Sequence, residues 1–294
     1  MSDTRSDKTA ETGNSTGNED STAGEAVLSI ATWNVNSIKA RLDGVCRWLV
    51  DERPDIACLQ ELKCETGKFP YDALAELGYA AEVHGQKSYN GVAILHRHTA
   101  TNVARGLPGD ASDSHARYIE ADIAGVRVVC LYLPNGNPAM TGESYSEKYR
   151  YKLAWLDRLH DRLAALLAEE IPVVACGDYN VIPDAIDCYD PRAWETDALF
   201  LPDTRRAFRR IANMGYYDAF RALHPDDAGA YTFWDYQAGA WQHNHGIRID
   251  HALLSPQAVD RLDAARIDSA PRGRDKASDH TPLVITLRRQ LADQ

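Results

Sequence analysis

Short apolar runs recur from Val27 onward and alternate with longer segments in which apolar residues return every three or four positions. Runs of this length, bounded by Gly, Pro, Asn or Asp, are typical of strands. The runs that fit are VLSIATWNV (27–35), DIACLQ (55–60), GVAILHR (91–97), YIEADIAGVRVVCLYLP (118–134), PVVACGDYN (172–180), IRIDHALLS (247–255) and PLVITLR (282–288). The run 118–134 is longer than one strand, and we expect a hairpin that turns at Ala124-Gly125.

Two segments have the spacing of an amphipathic helix. Leu42, Val45 and Leu49 would share one face of the first. The second is longer and ends before Pro172; its apolar face is marked by Leu156, Leu159, Leu163 and Leu166. Strands alternating with helices, with no internal repeat or long linker, predict one α/β domain over residues 27–290, and a mixed sheet is favoured over a purely parallel one.

The first 26 residues differ from the rest in composition. They contain six acids, two bases and almost no large apolar side chain, so we predict a disordered acidic tail without a catalytic role. The tail also lacks the basic start and apolar centre of a signal peptide. The whole chain carries a net charge of −11, which argues against a protein that holds nucleic acid by bulk charge alone. An enzyme that meets phosphates through a local basic face and a metal ion remains compatible with this charge.

The six cysteines do not form a CxxC pair, and Cys58, Cys130 and Cys176 lie inside apolar runs. This distribution predicts buried, reduced thiols in a cytoplasmic protein rather than a disulfide framework or a zinc site. No apolar run approaches the length that a membrane-spanning helix needs, so we expect no membrane partner.

Polar side chains stand where several predicted strands end. They are Asn34, Asn36, Glu61, Tyr132, Asp178, Asn180, Asp250, Asp279 and His280. Each alone has a structural explanation, since Asn and Asp form turns, a Glu can be a solvated cap, and a Tyr or His is often part of a core. In GDYN, an extended chain would place Asp178 and Asn180 on the same face, although a turn explains this fragment equally well. These separate explanations account poorly for the fact that all nine residues stand at the ends of predicted strands.

The residue types in this set point to one chemistry. Carboxylate and amide oxygens without a His or Cys cluster suit a hard ion such as Mg²⁺ or Mn²⁺, with water and phosphate completing the shell. A His with a carboxylate partner can donate to a phosphoryl oxygen or transfer a proton near neutral pH. Together these groups indicate metal-assisted hydrolysis of a phosphodiester.

Nine blocks in a fixed order carry a family resemblance. They are WNVNSIKAR, LQELK, HGQKSYNGVAIL, YLPNG, GDYNVIP, FLPDTR, YTFWDY, GIRIDH and SDHTPL, and they run from about residue 28 to 288. In this order they resemble the exonuclease III / class II AP endonuclease family, within the larger endonuclease/exonuclease/phosphatase group. The resemblance implies a four-layer α/β/β/α sandwich, in which two mixed sheets pack face to face with helices outside. It also implies an Mg²⁺-dependent DNA-repair enzyme that cuts 5′ to abasic sites and acts on duplex 3′ ends.

The same resemblance implies a role for each residue at a strand end. Glu61 would be the principal metal ligand, with Asn34 beside it and Asp279 close by. Asp178 would activate or align the attacking water, and Asn180 would orient that water and the phosphate. Tyr132 would contact the phosphate, and Asp250 would hold His280, which would bind a phosphate oxygen.

Other residues are implied as DNA contacts. Phe233, Ile247 and Ile249 match the family's pocket for a flipped abasic sugar, and Asn135 lies in the YLPNG block. Trp241, in a loop (236–246) that occupies the place of a DNA-probing segment, could enter the duplex or pack locally. The basic stretches 146–152 and 271–276, with Lys148 and Arg274, are candidate phosphate contacts. The stretch 204–210 is interpreted as a solvated helix face.

Two other functions remain open at this point. A phosphodiesterase or phosphatase for lipids or small phosphate esters could use the same residues, although the blocks HGQKSYNGVAIL, YTFWDY and GIRID favour the DNA-repair branch. A DNA-binding protein that has lost catalysis should lack at least one of the residues implied in the reaction. None of them is missing: Glu61, Asp178, Asn180, Asp250 and His280 are all present. We expect a cytoplasmic monomer of bacterial type, associated with the nucleoid through its substrate, double-stranded DNA with abasic sites or 3′ ends.

Overall fold

A computed structural model describes residues 27–289, and the tail predicted for residues 1–26 lies outside the described residues. The first group of strands is β1 (Val27–Asn34), β2 (Ile56–Gln60), β3 (Ala80–His84), β4 (Val92–His96), β5 (Ala100–Arg105), β6 (Tyr118–Ile123) and β7 (Val126–Tyr132). The second group is β8 (Met140–Thr141), β9 (Ser144–Tyr145), β10 (Val173–Asp178), β11 (Tyr217–Asp218), β12 (Asp250–Leu254), β13 (Leu262–Ile267) and β14 (Leu283–Arg288). The helices are α1 (Ile38–Glu52), α2 (Tyr71–Ala75), α3 (Glu147–Leu167), α4 (Pro202–Asn213), α5 (Ala219–Leu223) and α6 (Pro256–Val259).

These strands form two six-stranded sheets and a small hairpin of β8 and β9. The first sheet has the order β13-β14-β1-β2-β4-β3, and the second has the order β11-β12-β10-β7-β6-β5. Each sheet contains one parallel pair at its centre, β1 with β2 and β10 with β7, and its other pairs are antiparallel. The prediction of mixed sheets is therefore confirmed.

Three apolar layers hold the sheets and helices together. The inner faces of both sheets meet in one cluster that includes Ile30 and Val128. The outer face of the first sheet packs on α1 and α2 through residues such as Trp48 and Leu74. The outer face of the second sheet packs on α3 and α4. This is the four-layer α/β/β/α sandwich that the family resemblance implied.

The predicted local elements match the structure closely. The hairpin turns at Ala124-Gly125, between β6 and β7, and both of these residues have positive φ. Helix α1 begins after Ser37, whose hydroxyl accepts a hydrogen bond from the Ala40 N–H. Helix α3 begins after Ser146, which caps it in the same way, and ends before Pro172. All six cysteines are free. The helices within residues 27–289 are all too short or too polar to cross a membrane.

The basic stretch 204–210 lies on α4 as a solvated face, as predicted. Arg206, Arg209 and Arg210 are exposed and pair with acids on the protein's own surface. Such exposed pairs contribute little to stability, but they leave this face close to electrically balanced. The structure therefore gives the 204–210 stretch no particular role in binding phosphate.

Candidate active site

Strand register brings three of the predicted site residues together at one end of the second sheet. Asp178, the last residue of β10, is paired with Tyr132 of β7 on one side and with Asp250 of β12 on the other. Because β10 is central, these side chains are largely enclosed, and both aspartates are essentially fully buried. Buried carboxylates side by side are unusual in a purely structural core, since each costs free energy unless it is paired.

The first sheet contributes Asn34 and Glu61 to the same place. Asn34 ends β1, and its side-chain amide donates to Glu61 Oε1 at 3.1 Å and to Asp178 Oδ2 at 2.9 Å. The Asn34 oxygen accepts from the Asn36 N–H at 3.0 Å. Asn34 therefore contacts both carboxylates, and its bond to Asp178 joins the two sheets. The bond from the Asn36 N–H uses one of the two lone pairs of the Asn34 oxygen, so the role of Asn34 as a metal ligand stays a prediction.

Glu61 lies just beyond β2 and is held by three donors. The Tyr132 hydroxyl donates to Oε1 at 2.7 Å, alongside Asn34, and the Lys63 ammonium lies 2.9 Å from Oε2. Burial alone would raise the pKa of Glu61, but Lys63 and the hydrogen bonds from Tyr132 and Asn34 outweigh it and lower the pKa. Glu61 is thus an ionised carboxylate at the rim of the site.

Asp279 is connected to Lys63 through Asn36. Its Oδ1 accepts from the Asn36 amide at 3.1 Å, and the Asn36 oxygen accepts from Lys63 at 2.6 Å. Asp279 is half-buried, so it retains access to solvent. A chain of contacts through the Lys63 ammonium and the Asn36 amide therefore connects the carboxylates of Glu61 and Asp279.

Asp250 and His280 form a buried pair. His280 Nδ1 lies 2.8 Å from Asp250 Oδ2, and His280 Nε2 lies 3.8 Å from Asp178 Oδ2. Burial would lower the pKa of His280, but the charges of Asp250 and Asp178 and the hydrogen bond to Asp250 raise it to about 10. His280 is therefore an imidazolium that can donate from Nε2 near neutral pH.

The same enclosure changes the ionisation of Asp178. Burial raises the pKa of Asp178; the nearby charge of His280 opposes this rise, and that of Asp250 adds to it. Its Oδ1 accepts from the Asn180 N–H at 2.8 Å. A carboxylate with a raised pKa is a better proton acceptor than an exposed aspartate, which suits a residue next to a reacting water.

Asn180 departs from the strand-face prediction. Strand β10 ends at Asp178, and Asn180 has a left-handed φ of 49°, so the two side chains are not neighbours on one extended face. The Asn180 side chain donates to the Leu133 carbonyl at 3.0 Å and accepts from Asn135 at 3.0 Å. The turn interpretation was correct for the backbone, and the turn itself ties Asn180 to Asp178.

Two groups of side chains could hold a cation. Asp178, Asp250 and His280 offer ligand atoms within 4.8 Å of one another. Within residues 27–289, Asp250 Oδ1 is buried without a hydrogen-bond partner, so it has free acceptor capacity. Glu61 and Asp279, which are connected through Lys63 and Asn36, are the second group; they offer only oxygen ligands and are more accessible. Oxygen ligands match the preference of Mg²⁺ and Mn²⁺, so the residues fit the ion that the sequence implied.

Phe233, Ile247 and Ile249, the predicted sugar pocket, lie in one apolar cluster. It also contains Cys188, and its partly buried members are Phe233 and Trp194. The Phe233 ring packs edge-on against His280 with centroids 5.0 Å apart. An apolar surface therefore adjoins the imidazolium.

Trp241 is placed by local packing. Its ring lies edge-on to Trp234, with centroids 4.9 Å apart, and the Arg272 guanidinium lies 5.6 Å from its centroid. It is half-buried, which matches the local-packing alternative. Arg272 is itself 8% exposed and donates to the Trp234 carbonyl, so it is a structural member of the basic stretch 271–276.

The remaining predicted DNA contacts are at the surface. Lys148 is exposed near the start of α3 and lines an open cavity of about 620 Å³ with Pro138. Arg274 lines another cavity, of about 440 Å³, with Arg41 and Lys276, and it also donates to Asp51. The Asn135 side chain is directed at Asn180.

Two lysines of the site were missed or misassigned by sequence analysis. Lys63 follows Glu61 by two residues in the LQELK block, and this closeness was the available signal. Lys152 was included in a surface stretch, 146–152, but it is completely buried. Its position three residues from Tyr149 and Trp155, both buried, places it on the inner face of α3.

Comparisons with known proteins agree with this geometry. DNA repair nuclease APEX1 of Danio rerio is 33% identical to this chain over 268 residues, which are 89% of this chain and 83% of that protein. The structure of an AP endonuclease from Archaeoglobus fulgidus is 40% identical, with a TM-score of 0.83, and the match covers 88% of this chain and 99% of that one.

NExo from Neisseria is similar in two structures, each matched over 88% of this chain and 98% of that one with a TM-score of 0.84. One is a 3′-5′ exonuclease at 38% identity, and the other is a 3′ phosphatase bound to a product DNA hairpin at 37% identity. Residues 31–280 match the model of the Endonuclease/Exonuclease/phosphatase family. The resemblance found in the sequence is confirmed, and the chain belongs to the Endonuclease/Exonuclease/phosphatase family.

Proposed function

We propose that this protein is a metal-dependent DNA-repair phosphodiesterase that cuts duplex DNA 5′ to abasic sites and removes nucleotides or blocking groups from 3′ ends. The observation that carries this proposal is the continuous set of contacts from Glu61 through Asn34 to Asp178, beside the Asp250–His280 pair. The similar proteins include a repair nuclease, an AP endonuclease, a 3′-5′ exonuclease and a 3′ phosphatase, and all of these act on phosphate esters.

Glu61 and Asp279 are the proposed ligands of one Mg²⁺ ion, with Mn²⁺ as an alternative. The Asp178, Asp250 and His280 group suits Mg²⁺ less well, because one of its three members is an imidazole and Mg²⁺ prefers oxygen ligands. When bound, the ion supplies positive charge to the phosphate and the leaving oxygen. Tyr132 and Asn34 orient the Glu61 carboxylate, which is the usual task of groups that contact a ligand rather than the metal.

Asp178 is the proposed proton acceptor for the attacking water. Its raised pKa makes proton acceptance favourable, and Asn34 and the Asn180 N–H hold its two oxygens in place. Because both oxygens have a fixed donor, the carboxylate presents its remaining lone pairs in a fixed direction. Asn180 acts in this scheme mainly by shaping the turn.

His280 is the proposed donor to a non-bridging phosphate oxygen. Asp250 accepts from Nδ1, which fixes the ring and leaves Nε2–H directed toward Asp178. An imidazolium held in place before substrate arrives can stabilise the negative charge that develops on the phosphate. In this arrangement His280 stabilises the negative charge on the phosphate, and Asp178 accepts the proton from water.

The apolar cluster next to His280 supports selection of abasic sites. Phe233 is partly buried and packs against His280, and Ile247 and Ile249 belong to the same cluster, so this apolar surface is the proposed contact for a base-free sugar. We also propose that the protein acts as a monomer in the cytoplasm, where the DNA of a bacterial cell lies.

The experiment is a cleavage assay on three labelled duplexes: one with a single abasic analogue, one with a recessed 3′ end and one with a 3′-phosphate. A cut 5′ to the lesion that requires Mg²⁺ and stops with EDTA supports the endonuclease assignment. Shortening or dephosphorylation of 3′ ends without that cut would limit the proposal to 3′-end processing. If none of the three duplexes reacts with Mg²⁺ or Mn²⁺, the proposed function is wrong.

A further inference from the structure

Lys152 is a fully buried lysine outside the set of residues assigned to the reaction. It lies on the inner face of α3, and its ammonium donates to the carbonyl oxygen of Asn180 at 2.6 Å and to that of Asn135 at 3.0 Å. A buried ammonium costs considerable free energy unless its donors are satisfied. An apolar residue at this position of the helix would avoid that free-energy cost, so the presence of a lysine requires an explanation.

The two carbonyls belong to the two loops that border the phosphate site. The loop after β7 carries Asn135, and the loop after β10 carries Asn180. Their side chains are joined by the hydrogen bond from Asn135 to Asn180, and the Asn180 N–H holds Asp178. Lys152 is therefore two contacts away from the carboxylate that is proposed to accept the proton.

The surroundings are shaped for this side chain. A Cβ added at Gly136 would lie 2.7 Å from Lys152 Cδ, so the glycine allows the loop to close over the lysine stem. Asp197 accepts two hydrogen bonds from the Asn137 amide, which anchors the same loop from the other side. The left-handed conformation of Asn180 is uncommon for a residue other than glycine, and it persists only where neighbours hold it.

We propose that Lys152 is a positioning residue that locks the Asn135 and Asn180 loops together and thereby fixes Asp178 for catalysis. The inference rests on the proposed function, since it assigns Lys152 to that same site. Lys152 does not touch the phosphate in this scheme, so its removal affects the rate of the chemical step and leaves DNA affinity almost unchanged.

The bonding is compatible with either charge state of the lysine. Burial lowers the pKa of Lys152 to about 7, although the charges of Asp197 and Asp178 oppose the shift. Both the ammonium and the neutral amine have at least two N–H groups, which is the number that the two carbonyls need. The hydrogen bonds from Lys152 to the two loops therefore do not depend on a particular pH.

The test compares single-turnover cleavage rates and DNA dissociation constants of three variants with those of the wild-type enzyme. Lys152→Met keeps most of the side-chain volume and removes the donors, and Lys152→Arg keeps donors on a bulkier group. Leu159→Ala, two turns along α3 and fully buried in the helix–sheet layer, is the control for simple destabilisation. We expect Lys152→Met to lose about 10- to 100-fold in rate with an unchanged dissociation constant, because small displacements of reacting groups have effects of this size. Lys152→Arg should recover part of the loss, and Leu159→Ala should keep the wild-type rate at a temperature where it is folded.

The inference is overturned if folded Lys152→Met cleaves at the wild-type rate, or if Leu159→Ala shows an equal loss. Should Lys152→Met not fold, Gly136→Ala provides the second test, because its methyl group displaces the lysine stem while keeping the charge. The same loss of rate with unchanged affinity is expected there, and a wild-type rate contradicts the proposal. Wild-type enzyme is measured in parallel on the abasic and recessed duplexes. If it cleaves neither, the proposed function has failed; if it cleaves while the variants match it, only this inference has failed.

Discussion

His280 Nδ1 donates to Asp250 Oδ2 across 2.8 Å, and this bond joins the segment before β14 to β12, so that one contact spans the two sheets. Both residues are buried, and the pairing fixes the imidazole plane and keeps its other nitrogen available. The relationship turns a strand-end carboxylate and a loop histidine into one unit.

Asp250→Asn should lower kcat about 100- to 1,000-fold, the range seen when one preorganised donor to a developing negative charge is lost. The neutral amide no longer stabilises the imidazolium, so His280 becomes a weaker donor. Steady-state nicking of the abasic duplex measures the effect, with the exposed Asp263→Asn on β13 as the matched control. The Asp250→Asn, His280→Asn double variant should be no slower than the slower single variant; additive losses would show that the two residues act independently.

Tyr132→Phe should weaken metal activation more than it weakens DNA binding. The hydroxyl holds Glu61 Oε1 at 2.7 Å, and loss of a group that orients a metal ligand typically costs about 10- to 100-fold in metal affinity. A Mg²⁺ titration of activity measures the half-saturating concentration. The control is Tyr151→Phe, which removes a hydroxyl bound to the carboxylate of Asp113, away from the site. An unchanged Mg²⁺ requirement in Tyr132→Phe would contradict the assignment of Glu61 as the ligand.

Gly177→Ala should destabilise the second sheet strongly. A Cβ at this position would overlap the Leu131 carbonyl oxygen, so the parallel pairing of β10 with β7 must open next to Asp178. We expect loss of soluble, active protein or a large fall in the melting temperature. The control is Gly44→Ala in α1, where an added Cβ meets nothing within 4 Å; it should stabilise the protein by about 0.5–1 kcal/mol. A melting temperature for Gly177→Ala equal to that of the wild type would refute the predicted overlap.

Asp187→Asn should lower stability by about 3–5 kcal/mol at neutral pH, because it leaves the buried charge of Arg248 partly unpaired. Asp187 accepts from Arg248 at 2.7 Å and from Arg221 at 2.6 Å. Burial would raise the pKa of Asp187, but these two arginines lower it. Because the folded pKa is depressed, the carboxylate stabilises the protein above its unfolded pKa of about 4, and this contribution disappears as pH falls through the folded value.

Denaturant unfolding of wild type and Asp187→Asn from pH 7 down to pH 3 measures that difference. The gap between the two proteins should be widest at pH 7 and narrow toward acid. Asp157→Asn, which removes an exposed partner of Arg210, should change the unfolding free energy by less than about 1 kcal/mol. A gap that stays constant with pH would show that the ionisation of Asp187 is not the cause.

Local patterns in the sequence predicted eight of the fourteen strands within residues 27–289, together with α1, α3 and the hairpin, but they did not predict β3, β5, β8, β9, β11 or β13. Strand ends also identified Asp178, Asp250 and Glu61 as a group: Asp178 is the last residue of β10, Glu61 follows β2, and Asp250 is the first residue of β12, which runs antiparallel to β10. The contacts between these residues were not predictable in this way. The Asn34 amide meets Asp178 across 144 positions of sequence, and periodicity carries no information on such a pairing.

The positions of Asn180 and Lys152 were not fixed by the sequence analysis, because tertiary contacts determine both. The spacing of two between Asp178 and Asn180 allowed an extended face or a turn, and hydrogen bonds with the loop after β7 and with Lys152 of α3 hold Asn180 in a left-handed turn. Lys152 was grouped with surface cations because of its charge, although its apolar neighbours on α3 already marked the buried face. In both cases a tertiary contact decides the outcome over a local preference.

The central claim is that Asp178 acts in the chemical step, and it is tested most directly by single-turnover cleavage of an abasic duplex by Asp178→Asn beside a DNA dissociation constant measured in Ca²⁺ or EDTA. Asparagine has the same shape and cannot accept the proton from water. We expect the rate to fall about 100- to 10,000-fold, the usual contribution of a general base, while the dissociation constant stays within about threefold of wild type. A variant that binds DNA normally and cleaves it at the wild-type rate would contradict the assignment of Asp178.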